Sequence, residues 1–338
     1  MTYVFGPVPS RRLGQSLGID PIPMKTCNWN CVYCQLGRSS ALSDRRAEYA
    51  PREEIIAETM AAIELNGRHA IDWLTFVGSG EPALHSSLGW MIRELKRRTD
   101  IPVAVITNGS LMDLPEVRDE LCASDLVVPS LDAGSEALYR RINRSARAWS
   151  LERLVRGLGE FRAQFTGRIW VEVMLIRGVN DGEEALRDLA GALQRIGPDE
   201  VHLNLPVRPP AESWVEPPDD AGLARAVEVL GKVARVVSPK TPLLNLAGSK
   251  DVVETILQVV SRHPLAEEEI VQAIEQHQAG EPGELLKRLE ASGRARRLER
   301  GGKGFWTGAE GRYVEKSPGR CHSGGRAAGQ SGAVAPAD

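Results

Sequence analysis

Three thiols fall within eight residues, Cys27-Asn-Trp-Asn-Cys31-Val-Tyr-Cys34, separated by three residues and then by two. Thiolates are the ligands that hold iron–sulfur clusters, and a cubane normally takes four of them. Three ligands would leave one iron open to something other than protein, much as catalytic zinc sites keep one position open. Cys31 and Cys34 could instead form half of a structural zinc site, which needs a second pair nearby. The other cysteines, Cys122 and Cys321, are isolated, and the first histidine after the loop is His69. Five scattered cysteines do not read as a disulfide framework. A catalytic cluster is expected, with zinc or incidental thiols as the alternatives.

Strands and helices must carry that loop. Short β-branched runs predict strands at 16–20, 72–78, 102–107, 125–131, 168–176 and 200–205. Amphipathic stretches predict helices at 52–66, 86–98, 115–122, 150–164, 182–195 and 219–236. The first of these starts at Pro51 and has acidic Glu53 and Glu54 in its opening turn. Near-continuous apolar strands alternating with helices imply a parallel sheet covered on its outer face. Six such units predict an α/β fold, a partial (β/α)6 barrel with parallel strands. In barrels the chemistry sits at the C-terminal ends of the strands.

Polar motifs follow the predicted strands. Gly78-Ser-Gly80-Glu81-Pro comes after the second, and Thr107-Asn108-Gly109 closes the third. Ser130-Leu-Asp132 ends the fourth, ahead of a helix carrying Tyr139 to Arg144, and Ile176-Arg-Gly-Val-Asn-Asp181 ends the fifth. Together with the cysteine spacing and Tyr33 before the last thiol, these motifs resemble the radical S-adenosylmethionine (SAM) superfamily. The resemblance implies a [4Fe-4S] cluster on Cys27, Cys31 and Cys34, with SAM on the open iron. It implies that Gly78, Gly80 and Glu81 bind the amino group of SAM, that Thr107 and Asn108 lie near the ribose, and that Ser130 contacts SAM. The backbone at Tyr33 and Ile176 would meet adenine. One electron from a flavodoxin- or ferredoxin-type donor would cleave SAM to a 5′-deoxyadenosyl radical that abstracts hydrogen from a substrate. Arg144, Asn204 and Arg208 are further candidates for substrate contact. The segment 5–20, with Pro23-Met-Lys25-Thr-Cys27 and Cys34-Gln-Leu-Gly-Arg38, is similar to a branch described as related to the tRNA wyosine-forming synthases. RNA bases, peptides and cofactor precursors all remain open as substrates. Arg11, Arg12 and Lys25 could hold an anionic one.

With 338 residues, 42% apolar and 26% charged, the composition is that of a globular protein with one large and one small domain. A net charge of −3 leaves no global footprint of nucleic-acid binding. The opening MTYVFGPVPSRRLG lacks a signal-peptide pattern, no apolar run reaches membrane-spanning length, and a cytoplasmic location is expected. The barrel is expected over 1–240. Three short helices (251–262, 265–276, 282–292) and a hairpin around Gly301-Gly302 resemble a winged helix over 250–310, and 311–338 reads as a disordered tail. Lys287, Arg288, Arg294, Arg296, Arg297, Arg300 and Lys303 make that unit locally basic, so nucleic-acid or protein contact is open there. The alternative to an enzyme is a cluster-dependent, redox-sensing regulator that binds nucleic acid through this unit.

Overall fold

The computed structural model describes residues 3–238, 243–246, 249 and 251–314. It opens with an antiparallel pair, β1 (Val4–Ser10) and β2 (Gly14–Ile19). Strands and helices then alternate: α1 (Arg52–Asn66), β3 (Trp73–Phe76), α2 (Leu88–Arg98), β4 (Val103–Thr107), α3 (Pro115–Leu121), β5 (Leu126–Pro129), α4 (Glu136–Asn143), α5 (Leu151–Gln164), β6 (Arg168–Met174), α6 (Glu183–Ile196), β7 (Glu200–Asn204), α7 (Asp220–Leu230) and β8 (Ala234–Val236). The eight strands form one sheet in sequence order, and each pairing from β2 to β8 is parallel. The sheet is open, with β1 and β8 at its edges, so the α/β partial barrel expected from the sequence is present without closure.

Two strands go beyond the expectation. β1 contains Pro7 and Pro9, which read as loop residues, yet it lies at the edge where a missing N–H is tolerated. The helix expected over 219–236 ends at Leu230, where Gly231 takes φ 72°. The chain then turns to add β8 beside β7.

The two faces of the sheet have separate cores. Ile169, Val171 and Val173 of β6 and Leu154, Leu158 and Phe161 of α5 belong to the main core, in the layer under the helices. Inside the barrel, Ala104, Leu126 and Val128 pack with Leu13 and are flanked by Trp73, Ile106 and Trp170. α1 shows how residue type fits this layering: Ile55, Ile56 and Ile63 are buried, and so is Thr59, whose hydroxyl donates to the Ile55 carbonyl at 2.7 Å. That bond makes the polar group tolerable on an apolar face.

A second unit follows, built from α8 (Val252–Val260), β9 (Leu265–Ala266), α9 (Glu267–Gln276), α10 (Pro282–Ala291), β10 (Ala295–Arg300) and β11 (Lys303–Gly308). The hairpin turns at Gly301–Gly302 as expected, and β9 joins it to give the order β10-β11-β9. Ile256, Leu257, Ile270, Ile274, Leu289 and Trp306 form its own core. At the start of the expected tail, Arg312 pairs with Gly37, and Val314 N–H donates to the Ala211 carbonyl at 3.1 Å. Residues 315–338 lie outside the described residues.

Candidate active site

The cysteine loop runs beside the C-terminal ends of β3, β4 and β5, where the barrel rule places chemistry. Cys27, Cys31 and Cys34 are all half-buried free thiols. Each sulfur has a nitrogen donor near it. The Trp29 N–H lies 3.4 Å and Asn108 Nδ2 3.8 Å from Cys27 Sγ, Asn143 Nδ2 lies 3.9 Å from Cys31 Sγ, and Lys25 Nζ lies 3.2 Å from Cys34 Sγ. Burial pushes the Cys27 thiol up to about 12 and the Cys31 thiol well above its ordinary value. A bound cation reverses that effect, because a coordinating thiol is deprotonated outright. Among the described residues, no group of three or more His, Cys, Asp or Glu side chains is arranged to hold a metal ion, Cys27, Cys31 and Cys34 included.

The 78–81 loop is pressed against the cysteine loop. Lys25 N–H donates to the Ser79 carbonyl at 2.6 Å, and Glu81 N–H donates to the Thr26 carbonyl at 3.0 Å. A Cβ on Gly80 would stand 2.0 Å from the Thr26 oxygen, so only glycine permits this approach. Glu81 is buried and ties the loop after β3 to the one after β4. It accepts from Ala83 N–H at 2.9 Å, from Thr107 Oγ1 at 2.6 Å and from Asn108 N–H at 2.7 Å. Burial raises its pKa above the ordinary carboxylate value, and those bonds offset only part of the rise. A carboxylate has about four acceptor positions, so one is left for an ammonium group.

Asn108 extends the network to the thiols: its Nδ2 donates to Asn28 Oδ1 at 2.7 Å, and its Oδ1 accepts from Ser110 Oγ at 2.6 Å. Asn28 Nδ2 in turn donates to Ser110 Oγ at 2.7 Å. A second network surrounds Asp132, which sequence reasoning noted only as the end of a motif. Its Oδ2 accepts from Tyr33 OH and from Asn143 Nδ2, each at 2.6 Å, and its Oδ1 accepts from Met174 N–H at 2.7 Å. Tyr33 therefore reaches the end of β5 through its hydroxyl. Ser130 is half-buried, and its N–H donates to the Thr107 carbonyl at 3.1 Å. The Ile176 N–H donates to Asn180 Oδ1 at 2.7 Å, so that backbone group is committed to its own turn. Asn204 Oδ1 and Asn143 Oδ1 are buried without a hydrogen-bond partner among the described residues. The end of α4 thus offers one unused polar atom beside Cys31, and the end of β7 another, which fits a polar ligand at the C-terminal end of the sheet.

The other candidates have partners within the protein, Arg144 beside the cysteine loop, since the N–H of its partner Glu212 donates to the Val32 carbonyl at 3.0 Å. Arg144 and Arg38 both pair with buried Glu212, at 2.5 and 2.6 Å. Arg208 donates to the Pro264 carbonyl of the second unit. Arg12, half-buried, pairs with Glu172 of β6. Asp20 and Arg262 were missed. Asp20 accepts from Ser79 N–H and Oγ and from Arg262 Nε. Most of the basic cluster has partners within the protein, several of them in exposed ion pairs. Arg294 pairs with Glu254, Arg297 with Glu267, and Arg288 stands 3.9 Å from Asp251. Arg296 donates to the Gly311 carbonyl, and Arg300 to the carbonyls of Pro206 and Val215. No helix among the described residues is long and apolar enough to cross a membrane.

The chain matches the radical SAM superfamily over residues 22–190, half its length. It belongs to that superfamily, whose enzymes use a [4Fe-4S] cluster and S-adenosylmethionine. It is 34% identical over 310 residues to a UPF0026 protein of Methanocaldococcus jannaschii, covering 90% of this chain and 96% of that one. It is also 48% identical over 200 residues to a protein described as GTPase Obg from Brachyspira hyodysenteriae, covering 59% of this chain, and it spans 29% of that relative's length. A solved structure of TYW1 with a lysine–pyruvate adduct bound is similar over 92% of this chain and 85% of that one, at 16% identity and a TM-score of 0.44.

Proposed function

We propose that Cys27, Cys31 and Cys34 hold a [4Fe-4S] cluster and that the strand ends beside them bind SAM, for hydrogen abstraction from a substrate still to be identified. When bound, a reduced cluster and SAM supply one-electron cleavage to methionine and a 5′-deoxyadenosyl radical. The protein binds, orients and excludes water. Trp29 N–H, Asn108, Asn143 and Lys25 direct donors at the sulfurs and stabilise them as thiolates. Glu81, held by three donors, keeps one acceptor position for the amino group of SAM, with Gly78 and Gly80 lending backbone. Thr107, Asn108, Ser130, Tyr33 and Ile176 line the remainder.

One observation carries the reading: the Glu81–Asn108–Asn28 chain of hydrogen bonds joins both strand-end motifs to the thiol loop in a single buried network. A zinc module has no use for such a network. The electron donor is of flavodoxin or ferredoxin type, and the substrate is an RNA base, a peptide or a cofactor precursor. We read the second unit as winged-helix-like, supported by its three helices and three short strands. The regulator alternative draws no support, because the family is one of enzymes.

The test is anaerobic reconstitution with iron and sulfide, followed by equilibrium dialysis with SAM. Wild type should take up about four irons and bind SAM, whereas Cys31→Ala should do neither. Normal iron content in Cys31→Ala would refute the ligand assignment.

A further inference from the structure

We propose that Asp20, Ser79 and Arg262 form a positioning relay through which the second unit sets the 78–81 loop, so that docking of that unit and SAM binding strengthen one another. This rests on the SAM site proposed above and extends it to how that site is held.

Arg262 lies just beyond α8, with its guanidinium 5.1 Å from the Phe5 ring centre and Nη1 donating to the Gln258 carbonyl at 3.1 Å. Its Nε donates to Asp20 Oδ2 at 2.7 Å, and the pair is nearly sequestered, with side-chain exposures of 12% and 3%. The same carboxylate takes Ser79 Oγ at 2.6 Å and Ser79 N–H at 3.0 Å. One buried anion is thus shared between the loop after β3 and a cation from a unit that begins more than 150 residues later. Bonds to an ionised acceptor are short and strong, so Ser79 follows Asp20, and Asp20 follows Arg262. The other side of Ser79 faces the thiol loop, since its carbonyl receives Lys25 N–H.

A second contact of the same turn reinforces the relay. Gln35, next to Cys34, donates Nε2 to the Arg262 carbonyl at 3.4 Å and meets His263 Nδ1 at 3.1 Å. Tyr313 OH donates to the Gln35 carbonyl at 2.5 Å. Residues 262–263 therefore touch the loop that carries the thiols, and reach the loop proposed to carry the amino group of SAM through Asp20. Beside the relay is a cavity of about 80 Å³, lined by Tyr3, Tyr49, Asp20, Ser79 and Arg262 among others, which gives the 78–81 loop room to shift once the pair is broken. Two elements that share one buried ion are coupled, and coupling is reciprocal: whatever docking does for SAM affinity, SAM does for docking.

The experiment uses the full chain with its cluster reconstituted, and reads SAM affinity by equilibrium dialysis and amide exchange by mass spectrometry. Arg262→Gln should weaken SAM binding about tenfold, within the usual range of such couplings, with iron content unchanged. Arg262→Lys should recover most of that loss. Ser79→Ala keeps the ion pair and removes only the hydroxyl, and should weaken binding about threefold. Without SAM, exchange across 78–81 should be faster in Arg262→Gln than in wild type. In wild type, saturating SAM should slow exchange in α8. Arg294→Ala, which breaks an exposed ion pair on the second unit, should change none of these. If Arg262→Gln does not fold, Ser79→Ala carries the test alone. Wild-type affinity and wild-type loop exchange in the folded variants would overturn the relay and leave the SAM site standing. Absence of SAM binding by cluster-loaded wild type would overturn both.

Discussion

At the scale of single residues, the site is built from polar groups that bond to one another so that they can lie next to half-buried thiols. Tyr33 shows the principle. Its hydroxyl gives Asp132 one of three hydrogen bonds, and burial otherwise raises the pKa of that carboxylate. Tyr33→Phe leaves a buried acceptor short of a donor, which costs about 1–3 kcal/mol. Urea unfolding of the apoprotein should show a loss of that size, and a midpoint equal to wild type would show that the bond contributes nothing. His85 gives a pH signature. Its Nδ1 accepts from Ser87 N–H at 3.2 Å, so Nε2 carries the proton facing the Ala50 carbonyl at 3.0 Å, and burial lowers its pKa below 6.5. A histidine depressed in the folded state binds protons more readily when unfolded, so its contribution is complete above about pH 6.5 and is lost as pH falls below that value. The stability difference between wild type and His85→Gln should shift against wild type between pH 7.5 and 5.5, by up to about 1.4 kcal/mol per pH unit below 6.5. A pH-independent difference would mean that burial does not depress the His85 pKa in the folded protein.

At the scale of elements, close packing places the loops. Gly157 of α5 lies against the turn that follows Thr107–Gly109, and a Cβ there would come 2.5 Å from the Asp113 nitrogen and 2.7 Å from the Met112 carbonyl carbon. Gly157→Ala gains roughly 0.5–1 kcal/mol of helix propensity but overpacks against backbone, at a cost of about 1–3 kcal/mol. The substitution should therefore destabilise, as a lowered thermal midpoint, and a raised midpoint would show that the turn yields freely. Most elements were legible because their apolar residues are periodic: α1 is found over Arg52–Asn66, the bounds expected for it. β8 was read as helix because Ala234–Val236 is too short to show alternation after a helix. The thiols and the strand-end motifs were legible because each is local in sequence. The Asp20–Arg262 pair was not, since the two meet across 242 residues and nothing local in the 5–20 segment marks the partner.

At the scale of the whole molecule, the second unit is fastened to the partial barrel by groups that sequence alone marks as a basic patch. Arg300 reaches the Pro206 and Val215 carbonyls at 2.9 and 2.8 Å, and Arg208 reaches back to the Pro264 carbonyl. A run of like charges shows in the sequence, but the carbonyls and carboxylates that receive it come from distant segments. The second unit is thus a structural neighbour of the cluster loop, and the barrel with its thiols is where chemistry is expected. The most direct measurement is 5′-deoxyadenosine formed from SAM by the anaerobically reconstituted, dithionite-reduced protein. The account predicts slow release of 5′-deoxyadenosine even without the natural substrate, and none from Cys31→Ala. A wild-type protein that holds a reducible cluster and binds SAM, yet forms no 5′-deoxyadenosine with dithionite or with a flavodoxin system across candidate RNA, peptide and cofactor-precursor substrates, would contradict it.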